Sequence, residues 1–400
     1  MSAAAKCILC PALLGPNTKP EHIWLKSLGG RKTSRSLLCD ACNNEFGGGP
    51  DKALSESVEF LRNLMNFRDG KRGDPPTIRG RKFKNGKIAL RPGGIPVLYG
   101  GKPFIITPQP DGNPKVELGV NDAAHLQRIL PDLAAALSMD KDTVQKMLQT
   151  GDIRHVSQRI STQNHHLSLG GLEVMRSMMK TCLLLWAGRC GSQELEKPCY
   201  ADAKWFARHG RDDVVDRITN LVTSPLKNVE KIITRFGEHF NLACVASNEQ
   251  GQVIGYVRLY NICAWRFVLA EDGHPLGISG IVSNPADPAQ WQDIDTTDLV
   301  DFDAISPIDA SWDPDTARSS LGRMLQTYQY DGSITEIHRI CDRVSEKMEL
   351  GPDTPMTAEQ IERYYREVSG RIASWMLGVP YEEQLTQDEI AKLLSAPEQK

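Results

Sequence analysis

The sequence predicts an α+β protein, with a small cysteine-bearing module at the N-terminus and a larger α+β body behind it. Three observations lead there. Two CxxC pairs, Cys7-Ile8-Leu9-Cys10 and Cys39-Asp40-Ala41-Cys42, sit close to the start of the chain. The stretch Phe240–Ala270 breaks into short β-rich runs separated by turn residues, which reads as a meander of about three strands. Apolar residues elsewhere recur at helical spacing, most densely from Leu172 to Arg189.

Taken in order, residues 1–50 read as knuckles, short strands and turns. Asp51 to Phe67 reads as a helix, because Leu54, Val58, Leu61, Leu64 and Met65 recur at three- and four-residue spacing and Asp51 can cap the start. A basic linker follows, with a hairpin expected at Asn85-Gly86. Short strands are expected at 96–99 and 103–106, and helices at 122–138, 141–149, 172–189 and 202–209. Residues 284–316 carry nine Asp, four Pro and no Lys or Arg, so an acidic loop is expected there. The tail reads as helices at 316–326, 334–349, 357–377 and 386–395, the last two opened by the capping boxes Thr357…Gln360 and Thr386…Glu389. The domain expectation is therefore 1–67 for the module, 68–94 for the basic linker, 95–283 for an α+β regulatory or binding domain, 284–316 for the acidic loop and 317–400 for a helical C-terminal region.

Charge is distributed unevenly. Residues 1–92 hold seventeen Lys/Arg against eight Asp/Glu, while the remainder holds thirty against forty-two. A basic head on an acidic body points to a polyanionic partner for the head. Lys26, Arg31, Lys32, Arg35, Arg79, Arg81, Lys82 and Lys84 are the candidate phosphate contacts. No run approaches the roughly 18 apolar residues that span a bilayer, and the first residues lack a signal-peptide core, so a cytoplasmic, reducing setting is expected. Of ten cysteines, Cys182, Cys190, Cys199, Cys244, Cys263 and Cys341 show no CxxC spacing and read as free thiols in apolar company.

The other four, Cys7, Cys10, Cys39 and Cys42, suit structural zinc, because a CxxC turn puts two sulfurs on one side of a tight loop and four thiolates satisfy a tetrahedral ion. The 28 residues between the pairs exceed a simple ribbon, so the insert must fold as an element of its own. It contains Glu21-His22-Ile23 and Leu28-Gly29-Gly30, and Asn43-Asn44 follows the second pair.

In that order these motifs resemble the HNH endonuclease family, in the form with a four-cysteine zinc knuckle, over about residues 7–51. The resemblance implies a ββα-metal fold in which His22 is the general base, Glu21 one ligand of a catalytic Mg²⁺ or Mn²⁺, and Asn43 the second, with Asn44 as the alternative. Ser34, or else Ser36, falls where many members carry an asparagine that orients the histidine. It also implies hydrolysis of DNA, with RNA as the other polyanion the sequence admits. The chemistry agrees: imidazole titrates near neutrality, and oxygen ligands suit Mg²⁺ while thiolates suit zinc. The competing reading is a zinc-stabilised nucleic-acid-binding protein without cleavage. A nuclease head on a larger body also resembles antiviral defence effectors, with residues 95–400 as the place for a regulatory partner or a homo-oligomer contact.

Overall fold

The computed structural model describes residues 5–71, 73–83, 86–100, 102–110, 112, 114–157, 167–210, 215, 217–308, 313–351 and 355–395, and of residues 80–83 and 86 the backbone alone. Helices and antiparallel sheets make an α+β chain that divides into two compact units. The first holds residues 1–78, 91–95 and 166–328, and the second holds 79–90, 96–165 and 329–400.

The first unit starts with a two-stranded ribbon, β1 (Glu21–His22) and β2 (Thr33–Ser34), that pairs Glu21 with Ser34 and His22 with Thr33. Three short helices follow: α1 (Asp40–Gly48), α2 (Pro50–Ser57) and α3 (Glu59–Leu64). The single helix expected from Asp51 is thus two, broken at Val58, whose backbone leaves the helical region. Pro50 at the first helical position suits its fixed φ, and the cap residue is Gly49, not Asp51. Asp51 turns its carboxylate to Ser177 and Lys180 instead.

A six-stranded antiparallel sheet forms the middle of this unit. Its spatial order is Trp291–Ile294, Ile278–Ser283, Asn241–Ser247, Val253–Leu259, Cys263–Ala270 and Thr219–Val222. The expected meander is its centre. Asn241–Ser247 and Val253–Leu259 are buried at every position, because both faces are covered, so the strands read as continuous apolar runs rather than alternating ones. On one face lie Val229–Phe236 and Phe302–Ile305, contributing Ile232, Phe236 and Ile305. On the other lies the central helix, Leu172–Cys190, whose Met178, Met179, Cys182 and Leu183 are fully buried. The same core continues without a break into the N-terminal module through Trp24, Leu28, Leu38, Phe46, Leu54 and Val58. The module has too few residues to build a core alone and completes it on the central helix.

Two expected loops contain regular structure. The basic stretch holds the strands Ile78–Phe83 and Gly86–Arg91, which join Ile95–Leu98 in a three-stranded sheet. The expected hairpin tip at Asn85 lies outside the described residues, as do His165 and His166. The acid-rich stretch holds the edge strand Trp291–Ile294 and the short helix Phe302–Ile305. The two helices expected at 316–326 and 334–349 are one, Pro314–Lys347.

In the second unit, Ala123–Leu137, Lys141–Thr150 and Gln387–Leu394 share a small core of Leu126, Leu130, Leu133 and Ile390. Both expected capping boxes are formed. Arg154–Ser157 pairs with Tyr381–Gln384 and brings His155 opposite Glu383. Glu383 is 4% exposed and meets Arg343 Nη2 at 2.6 Å, Lys347 Nζ at 3.4 Å, His155 Nδ1 at 3.4 Å and the Arg371 guanidinium. Burial alone would raise its carboxyl pKa, but the His155 and Arg371 hydrogen bonds and the Arg343 charge hold it well below the usual carboxylate range. A depressed acid contributes stability above its unfolded pKa of about 4.3 and loses that contribution as pH falls toward the folded value. Glu383→Gln is expected to cost about 3 kcal/mol at neutral pH, read as a lower urea midpoint, with the gap to wild type narrowing below about pH 4. A gap that stays constant with pH contradicts this account.

Candidate functional site

The four cysteine sulfurs of the N-terminal module lie within 4.8 Å of one another. Cys10 Sγ and Cys39 Sγ are 3.6 Å apart. A tetrahedral zinc with Zn–S near 2.3 Å requires sulfur separations of about 3.8 Å, so the residues fit the ion. Cys39 is also the N-cap of α1, accepting from the Cys42 N–H at 3.5 Å, which links the knuckle to the start of the helix. A hydrogen bond from Cys42 pulls the Cys7 thiol pKa down to about 4, while the same contact pushes Cys42 up. The remaining six cysteines form no disulfide; Cys182, Cys244 and Cys263 are buried, and Cys190, Cys199 and Cys341 are half-buried.

Beside the knuckle is an open cleft of about 360 Å³ lined by Glu21, His22, Leu25, Lys26, Ser27, Gly47, Asp51, Lys52 and Ser55. The backbone around it is shaped by two glycines. Gly29 ends the turn Lys26–Leu28 at φ 92°, a conformation open mainly to glycine. A side chain on Gly30 would meet the Trp24 carbonyl oxygen at 1.8 Å. The Trp24 indole N–H donates back to Leu28 O at 3.1 Å, so the tryptophan is a buried brace under the turn. Gly29-Gly30 therefore makes the turn between the strands.

His22 is half-buried in this cleft. Burial, then the charges of Lys26, Lys71 and Lys180, push its pKa below the usual histidine value, with Asp69 opposing. Glu21 is 6% exposed and accepts from Lys180 Nζ at 2.5 Å. Lys180 Nζ also reaches Asp51 Oδ2 at 2.6 Å, and Ser177 Oγ donates to Asp51 Oδ1 at 2.6 Å. Burial raises the Glu21 carboxyl despite Lys180. Burial would strip the Lys180 ammonium of its proton, but Asp51 and Glu21 together outweigh it and hold the lysine charged. An unpaired ammonium in this position would cost several kcal/mol, which is why the interior supplies carboxylates.

Asn43 is half-buried on α1 and its N–H donates to Cys39 O at 2.9 Å. It lies one helical turn before Gly47, which lines the cleft, but Asn43 itself is not among the cleft-lining residues. Asn44 is exposed. Ser34 is opposite Glu21, and its hydroxyl is 3.2 Å from that of Ser36. The residue across from His22 is Thr33. Lys26 lines the cleft and pairs with Asp69 at 2.9 Å, and Lys32 pairs with Asp293 at 2.9 Å. Arg35 donates to Thr18 O at 3.3 Å, and Arg31 is exposed. Arg79 stacks over Tyr99 at 5.4 Å. The side chains of Arg81, Lys82 and Lys84 lie outside the described residues. Asp51, Lys52 and Lys180 are the residues sequence reasoning missed.

Among the described residues no helix is long and apolar enough to cross a membrane. No curated protein and no solved structure matches the chain. Residues 7–59 match the model of the HNH endonuclease family, a span that covers the knuckle, β1, β2, α1 and α2. The four-thiol cluster lies inside that span, so the N-terminal segment of this chain is similar to the HNH endonuclease family.

Proposed function

We propose that the chain is a metal-dependent endonuclease that hydrolyses DNA phosphodiesters in the cleft of its N-terminal module. The observation that carries the reading is the placement of His22 and Glu21 side by side in an open, cation-edged cleft within the family match. His22 accepts the proton of the attacking water. Its lowered pKa keeps the imidazole neutral, and so able to act, at pH values where an ordinary histidine is already protonated. Glu21 and Asn43 offer a carboxylate and an amide oxygen, a donor set that fits Mg²⁺ or Mn²⁺. When bound, such an ion stabilises the leaving oxygen as a Lewis acid. Lys26 and Lys52 edge the cleft and attract the phosphate backbone, and binding weakens as salt rises.

The test is a supercoiled-plasmid nicking assay with Mg²⁺ or Mn²⁺. Nicking that needs the ion supports the reading. Salt-sensitive DNA binding with no nicking under any divalent ion assigns the module to binding without cleavage. The rate should fall on the acid side with a midpoint below about 6.5, because the His22 shift is downward. An acid limb centred above that value rules out His22 as the titrating base.

A further inference from the structure

We propose that Lys180, on the central helix, is a positioning residue of the nuclease cleft. It holds Glu21 and Asp51 together from behind, so that divalent-ion binding by the module depends on a side chain far downstream in the sequence. This rests on the nuclease reading above.

Four observations carry it. Lys180 is 1% exposed, and its ammonium bridges Glu21 Oε1 and Asp51 Oδ2 at 2.5 and 2.6 Å. Both carboxylates line the cleft, whereas Lys180 does not. The ammonium therefore approaches from the protein interior and leaves the cleft side open, which is the geometry of a support and not of a plug. Ser177, one turn earlier on the same helix, fixes the other oxygen of Asp51 at 2.6 Å. The Phe46 ring covers the ammonium at 5.2 Å from its centroid. Two carboxylates sharing one lysine leave a net negative charge facing the cleft. Without the lysine, two neighbouring buried carboxylates would repel one another and lose their shared anchor. The central helix thus orients the expected ligand Glu21 and adds Asp51 as a second carboxylate on the same wall.

The test uses the full chain, zinc-loaded, and measures Mn²⁺ affinity by calorimetry and by the electron paramagnetic resonance signal of free Mn²⁺. Lys180→Met is expected to weaken Mn²⁺ binding roughly 10–100-fold, the usual effect of removing a residue that orients a ligand, and to lower nicking in step. Met179→Ala, on the same buried helix, should lower the thermal midpoint and leave Mn²⁺ affinity unchanged. If Lys180→Met does not fold, Ser177→Ala, which frees one Asp51 oxygen, should weaken Mn²⁺ binding by a smaller factor in a folded protein. Unchanged affinity in these variants reduces Lys180 to a core ion pair and overturns the proposal. Tighter Mn²⁺ binding in Lys180→Met also overturns it, because the lysine would then compete with the ion. A wild type that binds no Mn²⁺ removes the nuclease reading and this proposal together, a result distinct from a loss confined to the variants.

Discussion

Replacing Cys39 with serine is expected to unfold the N-terminal module and abolish its activity. Cys39 is at once a member of the four-thiol cluster, the cap of α1 and a buried core residue. Zinc bound by small four-ligand modules contributes apparent free energies of about 10–16 kcal/mol near neutral pH, as large as the whole stability of a typical domain at about 5–15 kcal/mol. Losing one ligand therefore outweighs anything the module can replace from its own short helices. Wild type should hold one zinc per chain, and a zinc-selective chelator should release it and expose residues 5–60 to protease even when Mg²⁺ is restored. Because Trp24, Leu38 and Phe46 share their core with the central helix, the damage should spread, with a lower thermal midpoint for the first unit. A zinc-free Cys39→Ser protein that stays folded and active would refute the assignment.

Replacing His22 with alanine is expected to lower nicking by a factor of about 10²–10⁴, the usual contribution of a general base. The fold should tolerate it. His22 is on a two-residue strand, half-buried at the edge of an open cleft, and the ribbon is held by backbone pairing with Thr33. DNA binding should change little, since Lys26 and Lys52 are untouched. The loss should therefore appear in turnover at saturating DNA.

The knuckle, the Glu21-His22 pair and the strand meander were legible in the sequence because each depends on local spacing. Asp51 and Lys180 were not, since they are far apart in the chain and meet only through the packing of α2 on the central helix. A signal was present nonetheless: Lys180 is the one charged residue in the run from Ser177 to Ala187, which is apolar apart from Ser177 and Thr181. A lysine so placed needs a buried acid, and Asp51, next to a proline at a helix start, passes for a cap. The strands Ile78–Phe83 and Gly86–Arg91 agree with the hairpin expected at Asn85-Gly86, but their extents were not legible, because the basic, glycine-punctuated sequence lacks apolar alternation. The helix Pro314–Lys347 read as two because Gly332 interrupts the pattern, yet a side chain there would meet open space, so the glycine marks no break. The core of the module is continuous with the sheet and the central helix, which the local spacing of the knuckles does not show.

His22 is proposed to perform hydrolysis in a cleft held by zinc and served by a second ion. The most direct measurement compares wild type and His22→Ala, both with full zinc content, in nicking of supercoiled plasmid with Mn²⁺. Ion-dependent nicking by wild type and near-background nicking by the variant, with equal DNA affinity, are the expected results. Equal nicking rates for the two proteins would contradict it.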